Sequence, residues 1–185
     1  MACDIFSGRD ESCKDSISGL LAVYVVNFGI DVDNITYDAT YTDLISAIPL
    51  TNIYGFSNHL YRFDLKGENS FDQDIKTDRN TGTTYFEQKL NIKLKKQDVA
   101  TTKMIKILSY GRPQIVVHTR SNQFFLMGLE QGSDVVSGTI GSGTKLGDFN
   151  GYSLSFMAEE KVPANFLDCG NETQLLALFG GAAIN

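Results

Sequence analysis

A chain of 185 residues is long enough to bury a full core but short for two ordinary domains, so a single domain spanning residues 1–185 is expected. Hydrophobic residues at 42%, charged residues at 21% and only three prolines argue against a disordered chain. The net charge of −6 is uneven: residues 1–80 carry 6 basic and 13 acidic side chains, residues 81–120 carry 8 and 2, and residues 121–185 carry 2 and 7.

A basic middle between acidic flanks can bind nucleic acid, pair with acidic surface on another copy, or simply face water, which is the ordinary fate of such a block. No segment reaches the roughly 18 uninterrupted apolar residues of a membrane helix. The opening Met1-Ala2-Cys3-Asp4-Ile5 lacks the basic-then-apolar order of an export signal, so no membrane partner is expected. Cys3, Cys13 and Cys169 are odd in number and lack CxxC spacing, which argues against a disulfide framework or a zinc site. Free thiols in a reducing cytoplasm are the default, with a Cys3–Cys13 bridge as the alternative.

In chain order, residues 20–28 form a continuous apolar run between Gly19 and Gly29, the pattern of a buried strand. Residues 29–54 are acidic and turn-rich and read as a long loop. Residues 59–65 alternate, with Tyr61, Phe63 and Leu65 inward against Arg62 and Asp64 outward. The clearest strand is 84–95: Phe86, Gln88, Leu90, Ile92 and Leu94 share one face, and Tyr85, Glu87, Lys89, Asn91, Lys93 and Lys95 the other.

A helix at about 98–110 follows, with Asp98 suited to the N-cap, Ala100, Met104, Ile107 and Leu108 as the apolar stripe, Gly111 just past the end and Pro113 beyond it. Residues 114–119 and 123–130 are apolar runs joined by Arg120-Ser121-Asn122, a hairpin pattern. Residues 131–150, rich in glycine, read as a second long loop, and 151–161 alternates again through Tyr152, Leu154, Phe156 and Ala158. A short helix at 172–179 and a small-residue tail complete a C-terminal arm at about 168–185, expected to dock on a neighbour or fray.

Six or seven strands that do not alternate with helices exclude a doubly wound sheet. The expected fold is mainly β (α+β): a β-sandwich or partly closed barrel with one packed helix, long loops and a terminal arm.

Candidate chemistry is sparse. His59 and His118 both fall within predicted strands, without HxH, HxxxH or Cys/His spacing around them. The string Gly138-Thr139-Ile140-Gly141-Ser142-Gly143-Thr144-Lys145 approaches a phosphate loop, but Thr144 precedes Lys145 and no helix follows, so a hairpin tip is the better reading. Asp31/Asp33 and Asp72/Asp74 lack the glycine and closing glutamate of a calcium loop. Asn34-Ile35-Thr36 and Asn171-Glu172-Thr173 match the glycosylation triplet, which carries no weight without an export signal. No catalytic residue, cofactor or metal is therefore expected, and the chain reads as a non-enzyme.

Several strings together resemble tail-tube (major tail) proteins of tailed bacteriophages over about residues 3–167. They are Gly19-Leu20-Leu21-Ala22-Val23-Tyr24, Gly82-Thr83-Thr84-Tyr85-Phe86-Glu87-Gln88-Lys89-Leu90, Tyr110-Gly111-Arg112, Gln123-Phe124-Phe125-Leu126-Met127-Gly128, Gly147-Asp148-Phe149-Asn150-Gly151-Tyr152-Ser153-Leu154-Ser155-Phe156 and Glu159-Glu160-Lys161-Val162-Pro163-Ala164. The resemblance implies a structural virion subunit made in the bacterial host cytoplasm, with itself and other phage tail proteins as partners. Copies would form hexameric rings that stack into a tube, through which DNA passes without sequence-specific binding. On this reading the long loops make the assembly contacts, through Asp134, Ser142, Gly143 and Lys145 in one and Tyr37, Tyr41 and Tyr54 in the other. Deleting residues 134–145 should then leave a folded monomer that no longer stacks. Another ring-forming virion part (head–tail connector, baseplate or tail-hub subunit) is the nearest alternative. A carbohydrate-binding β-sandwich using Tyr37, Tyr41 and Tyr54 is the alternative from a different class.

Overall fold

The computed structural model describes residues 8–9, 17–49 and 59–184; Cys3, Cys13 and Tyr54 lie outside the described residues. In chain order the elements are β1 (Leu20–Val26), a 3-10 turn (Val32–Asn34), β2 (Thr36–Tyr37), β3 (Leu44–Ala47), β4 (His59–Asp64), β5 (Ser70–Asp78), β6 (Thr83–Lys95), α1 (Val99–Leu108), β7 (Gln114–Thr119), β8 (Phe124–Met127), β9 (Asp134–Gly141), β10 (Gly151–Glu160), β11 (Asn165–Leu167), α2 (Glu172–Leu178) and β12 (Ala183–Ile184). Eight strands make one sheet, in the order β12-β4-β1-β7-β8-β11-β3-β2, and four make a second, β5-β6-β10-β9. The fold is mainly β and sandwich-like, and the sheets do not close into a barrel.

The large sheet is buried on both faces. Leu20, Val23, Ile115, Val117 and Met127 on one face meet Leu90, Ile92, Tyr152, Leu154 and Phe156 of the small sheet. Ala22, Tyr24, Val26, Val116, Phe124 and Leu126 on the other meet Ile30, Ile35, Ile45 and Ile48, together with Leu175, Leu178 and Phe179 from α2 and the residue after it. This explains the unbroken apolar run of β1, since a strand with core on both sides has no reason to alternate. Leu21 alone turns out to solvent, where the β1–β7 register shifts.

In the small sheet the long strand β6 behaves as its period-two pattern demands. It pairs antiparallel with β5 from Ser70↔Asn91 to Asp78↔Thr83 and with β10 from Gly151↔Lys95 to Glu160↔Phe86. Gln88, a polar residue on its inward face, is buried and satisfied: its Nε2 donates to the Val162 carbonyl at 3.4 Å and its Oε1 accepts from the Gly128 N–H at 3.1 Å. The N-terminus of α1 is fixed by Asp98, whose side chain accepts from the Thr101 N–H at 2.8 Å, and by Tyr152, whose hydroxyl donates to the Asp98 carbonyl at 2.9 Å.

Several expectations are corrected. Residues 131–150 are not all loop: β9 occupies Asp134–Gly141 and pairs with β10, because Val135, Val136, Thr139 and Ile140 supply β-branched residues between the glycines. A deletion of 134–145 would therefore remove an edge strand as well as a tip. Within the described part of 29–54, β2 and β3 extend the large sheet, and β3 lies parallel to β11 through Phe166↔Leu44 and Leu167↔Ile45. β5 is a further strand that the expected set lacks.

The C-terminal segment docks on its own chain. α2 buries Leu175 and Leu178, and β12 pairs parallel with β4 through Ala183↔His59 and Ile184↔Leu60. The stripe expected on α1 is also revised, since Ile105 is its buried residue while Met104 and Ile107 stay exposed. Finally, β4 uses both faces: Leu60 is buried on the α2 side, and Arg62 reaches Glu172 of α2 at 2.6 Å.

Candidate assembly interface

Groups with perturbed chemistry have structural explanations. Burial, Glu172 beside it and other neighbours push the Tyr24 phenol up to about 12, and its hydroxyl donates to Glu172 Oε1 at 3.1 Å, tying β1 to α2. Burial and the adjacent Asp168 push the Cys169 thiol up to about 12, so it is a protonated side chain packed on the core rather than a nucleophile. Glu160 is buried and raised by desolvation, and its Oε1 accepts from the N–H groups of Glu130 and Gln131 at 3.0 and 2.9 Å, organising the turn after β8. Among the described residues no group of three or more His, Cys, Asp or Glu is placed to hold a metal.

His118 stacks on Phe124 with ring centroids 4.0 Å apart, and its Nε2 lies 3.1 Å from Asn122 Oδ1, a contact that puts the proton on Nε2. Burial, the largest cause, holds its pKa below the usual 6.5, with the Arg62 charge acting the same way and Asn122 and Glu172 opposing. A depressed histidine contributes stability that is complete above its unfolded pKa and is lost as pH falls through the folded one. Wild-type melting temperature should therefore drop between pH 7.5 and pH 5 by more than that of His118→Gln. Parallel profiles for the two proteins would rule this out.

The outer face of the small sheet is a polar lattice. Lys89 pairs with Asp74 at 2.9 Å and Glu87 at 3.2 Å, Lys76 with Glu87 at 3.2 Å, and Lys93 with Glu68 at 3.1 Å. Part of the basic middle of the chain is thus matched locally. Lys66, Lys95 and Lys96 form no ion pair among the described residues.

Among the described residues both long edges of this sheet are open, because β5 and β9 each have a strand partner there on one side only. Residues 135–141 of β9 include no charge and no proline, and Val136 and Ile140 there are 52% and 53% exposed. The usual defences of an edge against further pairing reduce here to one bulge, where the register shifts between Ser155 and Phe156 of β10. On β5, Ile75 is likewise exposed.

Beyond β9 the chain turns back at an ordered tip. Asp148 Oδ2 accepts from the Thr144 and Lys145 N–H groups at 2.9 and 2.7 Å, which holds its carboxyl below the usual range. Gly143 sits at φ +72°, where an added Cβ would come 2.7 Å from Asp148 Cβ. The turn so built carries Leu146 fully exposed.

Of the residues singled out from sequence, Ser142, Gly143 and Lys145 lie together on this tip, and Asp134 lies at the opposite end of β9. Tyr37 and Tyr41 lie elsewhere, around the β2–β3 turn at the far edge of the large sheet, where Asp38 accepts from the Thr40 and Tyr41 N–H groups at 2.8 Å. Sequence reasoning missed Val136, Ile140 and Leu146. The signal available was their apolar character in a glycine-rich stretch, which a loop assignment conceals. No protein-family model matches the chain, and no curated protein or solved structure shows significant similarity to it.

Proposed function

We propose that this chain is a structural subunit that assembles head to tail with copies of itself, in the manner of the phage tail-tube proteins its sequence resembles. The observation that carries the proposal is the pair of open edges on the small sheet. β9 runs parallel to β6, since each is antiparallel to β10, whereas β5 runs antiparallel to β6. The β9 edge of one copy therefore meets the β5 edge of an equally oriented copy in antiparallel sense, and the small sheet continues from subunit to subunit. The two surfaces differ, so the contact is heterologous: it closes into a ring where the rotation allows and otherwise runs on.

In a ring of this kind the acidic net charge suits a channel for DNA, because repulsion from phosphates removes the counterion release that drives sticking. Stacked rings would form the tube, with other tail proteins at its ends.

Negative-stain electron microscopy across a concentration series tests the reading. The wild-type protein is expected to give rings or hollow tubes. A Val136→Lys/Ile140→Lys double variant should remain monomeric with an unchanged melt, since both side chains are half exposed and contribute little to the core. Tubes from the double variant at the wild-type concentration would eliminate edge pairing.

A further inference from the structure

The stripe Ala100-Met104-Ile107 is real as a pattern but is not used in the core. α1 turns Ile105 and Leu108 inward, leaving Met104 38% and Ile107 60% exposed. These two side chains, with Val25, Tyr61, Phe63 and Leu108, line a groove of about 280 Å³ between α1 and β4. Past Phe63 and Met104 the groove runs into a second hollow of about 390 Å³, lined by Arg62, Lys66, Lys93, Lys95 and Lys96 together with Asp64 and Asp98. The result is an apolar seat with a mainly basic entrance, where Lys66, Lys95 and Lys96 form no ion pair among the described residues.

We propose that this groove receives the β9–β10 hairpin tip of a second copy, with Leu146 as the anchor against Phe63, Met104 and Ile107. The inference rests on the head-to-tail assembly reading and adds to it the site that fixes one copy against the next.

Two observations select this occupant. The tip is preorganised by the Asp148 turn and displays a leucine that contacts nothing in its own chain, so seating it requires little ordering.

Topology agrees as well. When β9 of one copy lies along β5 of the next, the end of β9 at Gly141 meets the start of β5 at Ser70, and β6 ends on that same side at Lys95. Sheet continuation thus delivers the tip to the end of the neighbour that carries Lys66, Lys93, Lys95 and Lys96. A leucine seat alone is too small for a stable interface, which buries about 1,200–2,000 Å². The sheet edge supplies area and the tip sets position.

The test is complementation between Leu146→Lys, which lacks the anchor, and Ile107→Lys, which lacks the seat; Met104→Lys serves as a second seat variant. All three sites are exposed, and thermal melts confirm folding. Each variant alone is expected to raise the critical concentration for assembly by roughly 10-fold or more. Their mixture should give a 1:1 dimer by sedimentation, because only one intact anchor and one intact seat remain and growth stops there. Wild-type assembly together with equally ready assembly of Leu146→Lys would overturn the groove while leaving head-to-tail assembly standing. Wild-type protein that stays monomeric at every concentration would overturn both.

Discussion

Leu90→Ala is expected to lower folding stability by about 2–5 kcal/mol, the range for truncating a fully buried leucine. Leu90 sits at the middle of β6, fully buried, opposite Phe71 on β5 and Phe156 on β10. It belongs to the same core cluster as Val23, Ile115 and Ile105, so it lies in the core shared by both sheets and α1. Collapse around the vacated space is hindered because β6 is held by hydrogen-bonded strands on both sides, and a cavity that cannot relax gives the upper part of the range. Urea denaturation measures the loss as a lower midpoint with an unchanged slope. Ile75→Ala, on the exposed stretch of β5, serves as the contrast and should change stability by about 0.5 kcal/mol or less.

Gly151→Ala should cost on the order of 3 kcal/mol for a different reason, combining backbone strain with a steric clash. Gly151 opens β10 at φ +155°, and a Cβ added there would stand 2.1 Å from the Leu94 carbonyl oxygen of β6 and 3.0 Å from Phe149 Cζ. A backbone carbonyl in a paired strand cannot swing aside, so the start of β10 must separate from β6. The next residue, Tyr152, donates to the Asp98 carbonyl, and that separation would also loosen the start of α1. Hydrogen exchange should therefore show lost protection at 151–153 together with the first turn of α1. Gly147→Ala is the control: nothing lies within 4 Å of its would-be Cβ, and a neutral melt is expected.

How much of this was legible beforehand depended on burial. β6 and β10 have one face in the core and one in water, so their alternation was explicit and both were read correctly. α1 declared itself through Asp98, because capping is local chemistry. β5 was hidden because its inward residues Phe71, Gln73 and Ile75 alternate with aspartates and a lysine at the rim of the core, where the hydrophobic contrast is weak.

β9 was hidden by its glycines, and β2, β3, β11 and β12 are too short for any period to emerge. The stripe on α1 was read from a true pattern but assigned to the wrong partner: residues that line a surface groove look like core residues in a sequence. Of the residues on the tip, Ser142, Gly143 and Lys145 were singled out from the sequence. The apolar residues exposed on and beside it, Val136, Ile140 and Leu146, were not, since exposure is a property of the fold and not of the residue.

The connection between α2 and β1 also carries a kinetic consequence. Tyr24 and Glu172 are 148 residues apart in sequence, and Asn165 reaches the Asp43 carbonyl across 122. β12 joins the edge of the large sheet only once residues 183 and 184 have been synthesised. The small sheet, in contrast, is drawn entirely from residues 70–160. Closing long loops slows folding, so on the ribosome the small sheet can form while the large one still waits for its last strand. Its open edges would then be displayed on a chain not yet whole, and the interval before β12 arrives is when pairing between nascent copies has the most time to go wrong.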